Sequence, residues 1–190
     1  MKKRTKYSIV MLLAVTFVAC DINTVDKSAL DPGTALNTIA GVQSAALSAY
    51  RRVWEFNLWG QQANLHGDVF ADNVQIVNRT GRYEQESVNG IGVFANRWAQ
   101  GGFGEGCYGI VKDANYVLEY IAKINVAGVP SSATVTSQNV VDHITGEAKF
   151  LRALALFELM RVYAYEPGRE VNGFNLGVVL RTKATQVVSD

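Results

Sequence analysis

The chain has 190 residues, of which 48% are hydrophobic, enough to form one ordinary domain with a real core. It carries 18 basic and 17 acidic residues, so its net charge of +1 gives no global field that would attract nucleic acid or an acidic polymer. This composition excludes a disordered tail and a strongly basic nucleic-acid binder.

The first nineteen residues have the pattern of a secretory signal. Four basic side chains fall within the first six positions, namely Lys2, Lys3, Arg4 and Lys6. An apolar stretch of 13 residues follows, from Tyr7 to Ala19. At about 1.5 Å per residue it reaches only about 20 Å, which is short of the roughly 30 Å hydrocarbon core of a bilayer. We therefore predict that residues 1–19 are a signal peptide that is removed.

The apolar stretch ends at Val18-Ala19-Cys20-Asp21, where a small residue precedes a cysteine and a polar stretch follows. This pattern resembles a lipobox, which implies a covalent lipid on Cys20 and a lipidated tether over residues 20–33. The alternative is an ordinary signal peptide with a chance cysteine. The other cysteine is Cys107, so a lipid on Cys20 would leave no internal disulfide, and no thiol pair suggests zinc.

Apolar residues recur at helical spacing in four segments beyond the tether. Asp31-Pro32 is a plausible cap and first-turn proline for the first of them. The predicted helices are residues 34–56, 61–77, 108–121 and 137–164. The pattern therefore predicts an all-α chain.

The predicted fourth helix has apolar side chains on two faces. One stripe consists of Ile144, Ala148, Leu151, Ala155, Leu159 and Val162, and the other of Phe150, Leu154 and Phe157. Two apolar faces predict burial between neighbours. Three preceding helices would cover such a helix poorly, so we expect more protein to follow Asp190. Glu158 and Arg161 are predicted to form an exposed i,i+3 pair.

Between Asn78 and Gly106 the helical pattern is interrupted. Seven glycines fall in this stretch, at positions 81, 90, 92, 101, 102, 104 and 106, with aromatic residues between them. We predict a long irregular excursion. Such loops within compact domains are uncommon and often functional.

Four segments resemble sequence elements of one family. Gly146 to Tyr163 reads GEAKFLRALALFELMRVY, which resembles the GEA-x-FLRA-x-x-x-F-x-L-x-x-x-Y signature of the SusD/RagB nutrient-binding outer-membrane lipoproteins. Three further segments resemble family elements in the expected order: Ala45 to Val53 (AALSAYRRV), Tyr108 to Leu118 (YGIVKDANYVL) and Leu176 to Thr182 (LGVVLRT). The similarity covers nearly all of residues 20–190, but only the front portion of a family member.

The resemblance implies tetratricopeptide-like helix pairs with long irregular loops, truncated on the C-terminal side, with residues 34–190 as the N-terminal helical part of a SusD-like domain. It also implies a protein held at the outer membrane by lipid and exposed on the cell surface. Such a protein binds oligosaccharide or peptide and delivers it to a TonB-dependent transporter of the SusC type. It binds without cleaving, so no catalytic residue and no cofactor besides the lipid is expected. A lipid-anchored helical-repeat adaptor that binds only protein partners is the alternative.

Sugar recognition needs flat apolar plates for pyranose faces and planar amide or guanidinium groups for hydroxyls. The irregular excursion contains both kinds of side chain. The candidate ligand-binding residues are Arg79, Arg82, Tyr83, Asn89, Asn96, Arg97 and Trp98. The alternative is that Trp98 and Phe94 only pin the loop to the helices while the polar groups face water.

Polar residues inside the predicted helices have a structural interpretation. Glu147 and Arg152 lie in an apolar helix, where they are expected to satisfy helix ends or a buried network. The same interpretation applies to Asn115. His66 with two nearby aspartates matches no specific metal-ligand template, so no metal site is predicted.

Overall fold

The computed structural model describes residues 31–71, 73–75, 77 and 102–184. The α-helices in these ranges are a single turn at Pro32–Ala35, α1 (Ile39–Val53), α2 (Gln62–Phe70), α3 (Phe103–Ile121) and α4 (Ser137–Tyr163). A 3-10 turn, Val126–Gly128, precedes α4. The described residues form no strand beyond one isolated bridge between Val171 and Phe174. The predicted all-α class is confirmed.

Helix α1 is shorter than the predicted range of 34–56. Thr38 has an extended backbone, and its side chain accepts a hydrogen bond from Gly41 N at 3.1 Å, so the helix begins at Ile39. The helical turn at Pro32–Ala35 is therefore a separate element from α1. The buried residues of α1 are Val42, Ala46 and Ala49, spaced so that one face meets the core.

Helix α2 ends seven residues before the predicted end at Val77. Local hydrogen bonds compete with the helix at this point: Asn73 N donates to Asp68 O at 2.9 Å, and Asn73 Nδ2 donates to Asp68 Oδ1 at 3.3 Å. Asn and Asp side chains often stop helices in this way. The predicted range of 61–77 was therefore too long.

Helix α3 begins at Phe103, five residues before the predicted start at Tyr108. The expectation that the irregular excursion extends to Gly106 was wrong for its last four residues. A Cβ at Gly106 would lie 2.9 Å from Cγ of Leu58, which is fully buried. The glycine therefore permits close packing within a helix, where the sequence alone suggested a break.

Helix α4 spans almost the predicted range, and Thr136 caps its first turn by accepting from Asn139 N at 3.2 Å. Five of the six residues of its first apolar stripe are buried, and the sixth, Val162, is 43% exposed. Phe150 and Phe157, on the second stripe, are 60% and 58% exposed, so within the described residues the other helices cover one apolar face of α4 and leave the second largely exposed.

The predicted i,i+3 pair of α4 is present. Arg161 Nη1 lies 2.9 Å from Glu158 Oε1. The arginine side chain is largely exposed, but that of Glu158 is only 13% exposed, so the pair lies at the edge of the core.

Helix α3 lies between α1 and α4 and is antiparallel to both. Its first half shares one apolar cluster with Ala49 of α1 and with Leu151 and Leu159 of α4. Its second half shares another with Val42 of α1 and Ile144 of α4. No helix in the described ranges is both long and apolar enough to cross a membrane. Because α3 is central, its polar residues Asp113 and Asn115 are buried.

Two glycine-to-alanine substitutions test the packing role of Gly106. Alanine in a helix gains about 0.8–1 kcal/mol over glycine, whereas overpacking a core costs about 1–3 kcal/mol. We expect Gly106→Ala to lower the thermal midpoint measured by circular dichroism, because its Cβ would meet Leu58. Gly146→Ala is the matched control in α4, where a Cβ meets nothing within 4 Å, and it should raise the midpoint. Equal stabilisation by both substitutions would contradict the packing argument.

Candidate functional site

Asn115 is a buried amide at the centre of α3, only 1% exposed. Its Nδ2 group donates to the backbone oxygens of Arg181 at 3.1 Å and Lys183 at 3.0 Å. Its Oδ1 accepts from Arg152 Nη1 of α4 at 3.0 Å. One side chain therefore joins α3, α4 and the C-terminal part of the described chain. The structural interpretation of Arg152 and Asn115 is confirmed.

The C-terminal segment, residues 176–184, is held along α3 by further hydrogen bonds. Tyr108 donates from its hydroxyl to Val179 O at 3.1 Å. Glu119 Oε1 accepts from Ala184 N at 2.6 Å. Side chains of α3 thus replace the strand or helix partners that this non-helical backbone lacks.

An ion pair joins α1 to α3. Arg52 Nε lies 2.6 Å from Asp113 Oδ2, and Asp113 is 9% exposed. The hydrogen bond that Arg52 donates to Asp113 is the largest cause of the raised pKa of Arg52, and burial opposes it. Gly109 makes room for the guanidinium, since a Cβ there would lie 3.3 Å from Arg52 Nη1. Much of the Arg52 charge is therefore balanced within the protein.

Glu147 and Cys107 are also structural. Glu147 Oε1 lies 3.3 Å from both the Tyr50 hydroxyl, which donates to it, and His143 Nε2. Burial, with the Glu147 carboxylate as a second cause, raises the pKa of Tyr50. Cys107 is fully buried, and burial raises the pKa of its thiol to about 12, so the nucleophilic thiolate is disfavoured at neutral pH.

A cavity of about 330 Å³ lies between α1, α3 and the C-terminal segment. This volume is at the lower end of the range for small-ligand sites. Gly109 and Val111 form part of its wall. Its polar lining residues are Arg52, Glu105, Tyr108, Lys112, Asn115, Arg181 and Lys183. We take this cavity as the candidate functional site of the described structure.

The ligand-binding residues predicted from sequence lie outside the described residues. These are Arg79, Arg82, Tyr83, Asn89, Asn96, Arg97 and Trp98, and the same holds for the predicted lipid anchor, Cys20. Sequence reasoning missed the cavity. Lys112 and Lys183 are far apart in the chain, and the only available signal was that each lies in or next to a segment resembling a family element.

Comparisons with protein-family models, curated proteins and solved structures give no match to this chain. Within the described ranges, His, Cys, Asp and Glu side chains form no group of three or more that could hold a metal ion.

The role of Asn115 is testable by limited proteolysis. Asn115→Ala removes both donors to the C-terminal segment, and each buried group left unpaired costs about 1–3 kcal/mol. We expect trypsin to cleave after Arg181 and Lys183 at least tenfold faster in this variant, as followed by mass spectrometry. Asn64→Ala is the control, since it removes an exposed side-chain hydrogen bond to Trp59 O and none to the segment. Unchanged cleavage in Asn115→Ala would show that other contacts hold the segment.

Proposed function

We propose that this chain is the front part of a SusD/RagB-type lipoprotein, anchored by a lipid on Cys20 in the outer membrane and exposed on the cell surface. It binds oligosaccharide, or peptide, without cleaving it. It then delivers this nutrient to a TonB-dependent transporter of the SusC type.

The observation that carries this proposal is the meeting of three motif segments at Asn115. Asn115 lies in the segment Tyr108 to Leu118, and its partner Arg152 lies in the signature of α4. Its other partners, Arg181 and Lys183, lie in and next to the segment Leu176 to Thr182. Elements that resemble one family in sequence therefore also contact one another, as parts of a shared scaffold would.

The helix arrangement is compatible with tetratricopeptide-like pairs. Helices α3 and α4 are consecutive and antiparallel, and they share both apolar clusters. We propose that they form one such pair and that α1 and α2 belong to the preceding one. The aromatic and amide-rich excursion, residues 78–102, is then the ligand-binding loop, as its composition predicts.

Titration of the full chain in detergent with a panel of oligosaccharides tests ligand binding. We expect saturable binding to at least one oligosaccharide and, for Trp98→Ala, a Kd at least tenfold higher, because an aromatic face covers a sugar ring. Trp54→Ala is the matched control, since Trp54 is 77% exposed outside the excursion. Absence of binding to any sugar or peptide, with retained binding to a transporter, would favour the protein-binding adaptor.

Metabolic labelling with palmitate tests the anchor. We expect the wild-type chain to incorporate label and to fractionate with membranes. Cys20→Ala should lose the label and be released from the membrane, since Cys107 is buried and does not supply a second acceptor. Cys107→Ala is the control and should keep the label. Continued labelling of Cys20→Ala would refute the anchor.

A further inference from the structure

The cavity beside α3 concentrates positive charge. Four cationic side chains line it, whereas Glu105 is its one acidic lining residue. The cationic residues are Arg52, Lys112, Arg181 and Lys183. This contrasts with the whole chain beyond the signal, in which 14 basic residues, the four of the cavity included, stand against 17 acidic ones. A positive cavity in a mildly acidic body is a local feature that net charge does not explain.

The neutral polar groups of the cavity are already used by the protein. Both N–H groups of Asn115 donate to backbone oxygens, and its Oδ1 accepts from Arg152. The Tyr108 hydroxyl donates to Val179 O. Neither amide nor phenol therefore offers a free donor to a sugar hydroxyl, and a neutral ligand would find few partners here.

The two lysine ammonium groups of the cavity, in contrast to these neutral groups, are available to a ligand. Within the described part of the chain, Lys112 and Lys183 make no hydrogen bond or ion pair through their side chains. Arg52 is largely balanced by Asp113 and adds only part of its charge. The donors left to a ligand are thus cationic, and cationic donors make their strongest hydrogen bonds to anionic oxygens.

Hydrogen bonds to Asn115 hold the backbone that carries two of these cations. Arg181 and Lys183 are two positions apart in a non-helical segment, and both line the cavity. Asn115 fixes the carbonyl of each. Lys112 approaches from α3, so cations from two separate elements converge on one space. Little backbone ordering is then needed on binding.

We propose that this cavity binds an anionic group, a carboxylate or a sulfate ester, carried by the oligosaccharide that the protein captures. That an oligosaccharide carries this anionic group rests on the function proposed above. The anion site itself rests only on the cavity. The ligand class is therefore an acidic glycan, either uronate-containing or sulfated.

Calorimetric titration of the full chain in detergent tests the proposal. The probes are a neutral gluco-oligosaccharide, an oligogalacturonate and a sulfated oligosaccharide of the same length, together with free glucuronate and inorganic sulfate. We expect an acidic glycan to bind more tightly than the neutral one, and increasing the salt from about 20 to about 200 mM to weaken that preference by screening. The double variant Lys112→Ala/Lys183→Ala should raise the Kd for the acidic glycan at least tenfold.

Two further variants separate charge from folding. Lys149→Ala removes an exposed lysine of α4 outside the cavity and should change the Kd less than twofold. The conservative double variant Lys112→Arg/Lys183→Arg should restore most of the affinity. Thermal unfolding should be the same for all of them, since Lys112, Lys149 and Lys183 make no side-chain hydrogen bond or ion pair within the described residues.

The outcomes distinguish this inference from the proposed function. Equal binding of neutral and acidic glycans, unchanged in the double alanine variant, would overturn the anion site and leave nutrient binding intact. Binding of glucuronate or sulfate alone, lost in the double variant, with no glycan bound, would support the site and overturn the oligosaccharide function. Tighter binding of oligogalacturonate or of the sulfated glycan would identify which anionic group the cavity takes.

Discussion

The described structure depends on one constraint: α3 is buried between α1 and α4, so the polar groups that it carries must find partners inside the protein. An unpaired buried polar group costs about 1–3 kcal/mol, which is a large part of a domain's stability. Asp113 meets this requirement through Arg52, and Asn115 through Arg152 and two backbone carbonyls. These bonds link α3 to both neighbouring helices and to the C-terminal segment.

The same constraint creates the cavity. Asn115 holds the backbone of the C-terminal segment against α3, and the side chains of Arg181 and Lys183 line the space left beside the helix. The buried amide is therefore a positioning group for exposed cations. Core packing and the charge of the cavity are connected here because Asn115, whose amide is buried in the core, also holds the backbone that carries Arg181 and Lys183. This division of roles explains why Arg152 and Asn115 are engaged with the protein itself.

The sequence predictions that the structure corrects were wrong for particular physical reasons. Gly106 looked like a loop residue because glycine favours turns, yet in the fold it lies in a helix and allows Leu58 to approach. The end of α2 was missed because its stop depends on hydrogen bonds between Asp68 and Asn73, which periodicity does not reveal. Helix α4 was predicted well because apolar period and N-cap are local signals that agree. Its second apolar stripe shows that period alone does not say what covers a face.

The sequence by itself determined the features that local patterns encode. These are the all-α class, the range of α4, the signal-like start and the segments that carry a family resemblance. Only the tertiary structure decided which distant residues meet. Arg52 and Asp113 are 61 positions apart, and Asn115 and Lys183 are 68 apart. Their contacts depend on how α1, α3 and the C-terminal segment pack in three dimensions. The cavity and its charge come from that packing, because a binding site is an arrangement of side chains in space and no periodicity along the chain encodes it.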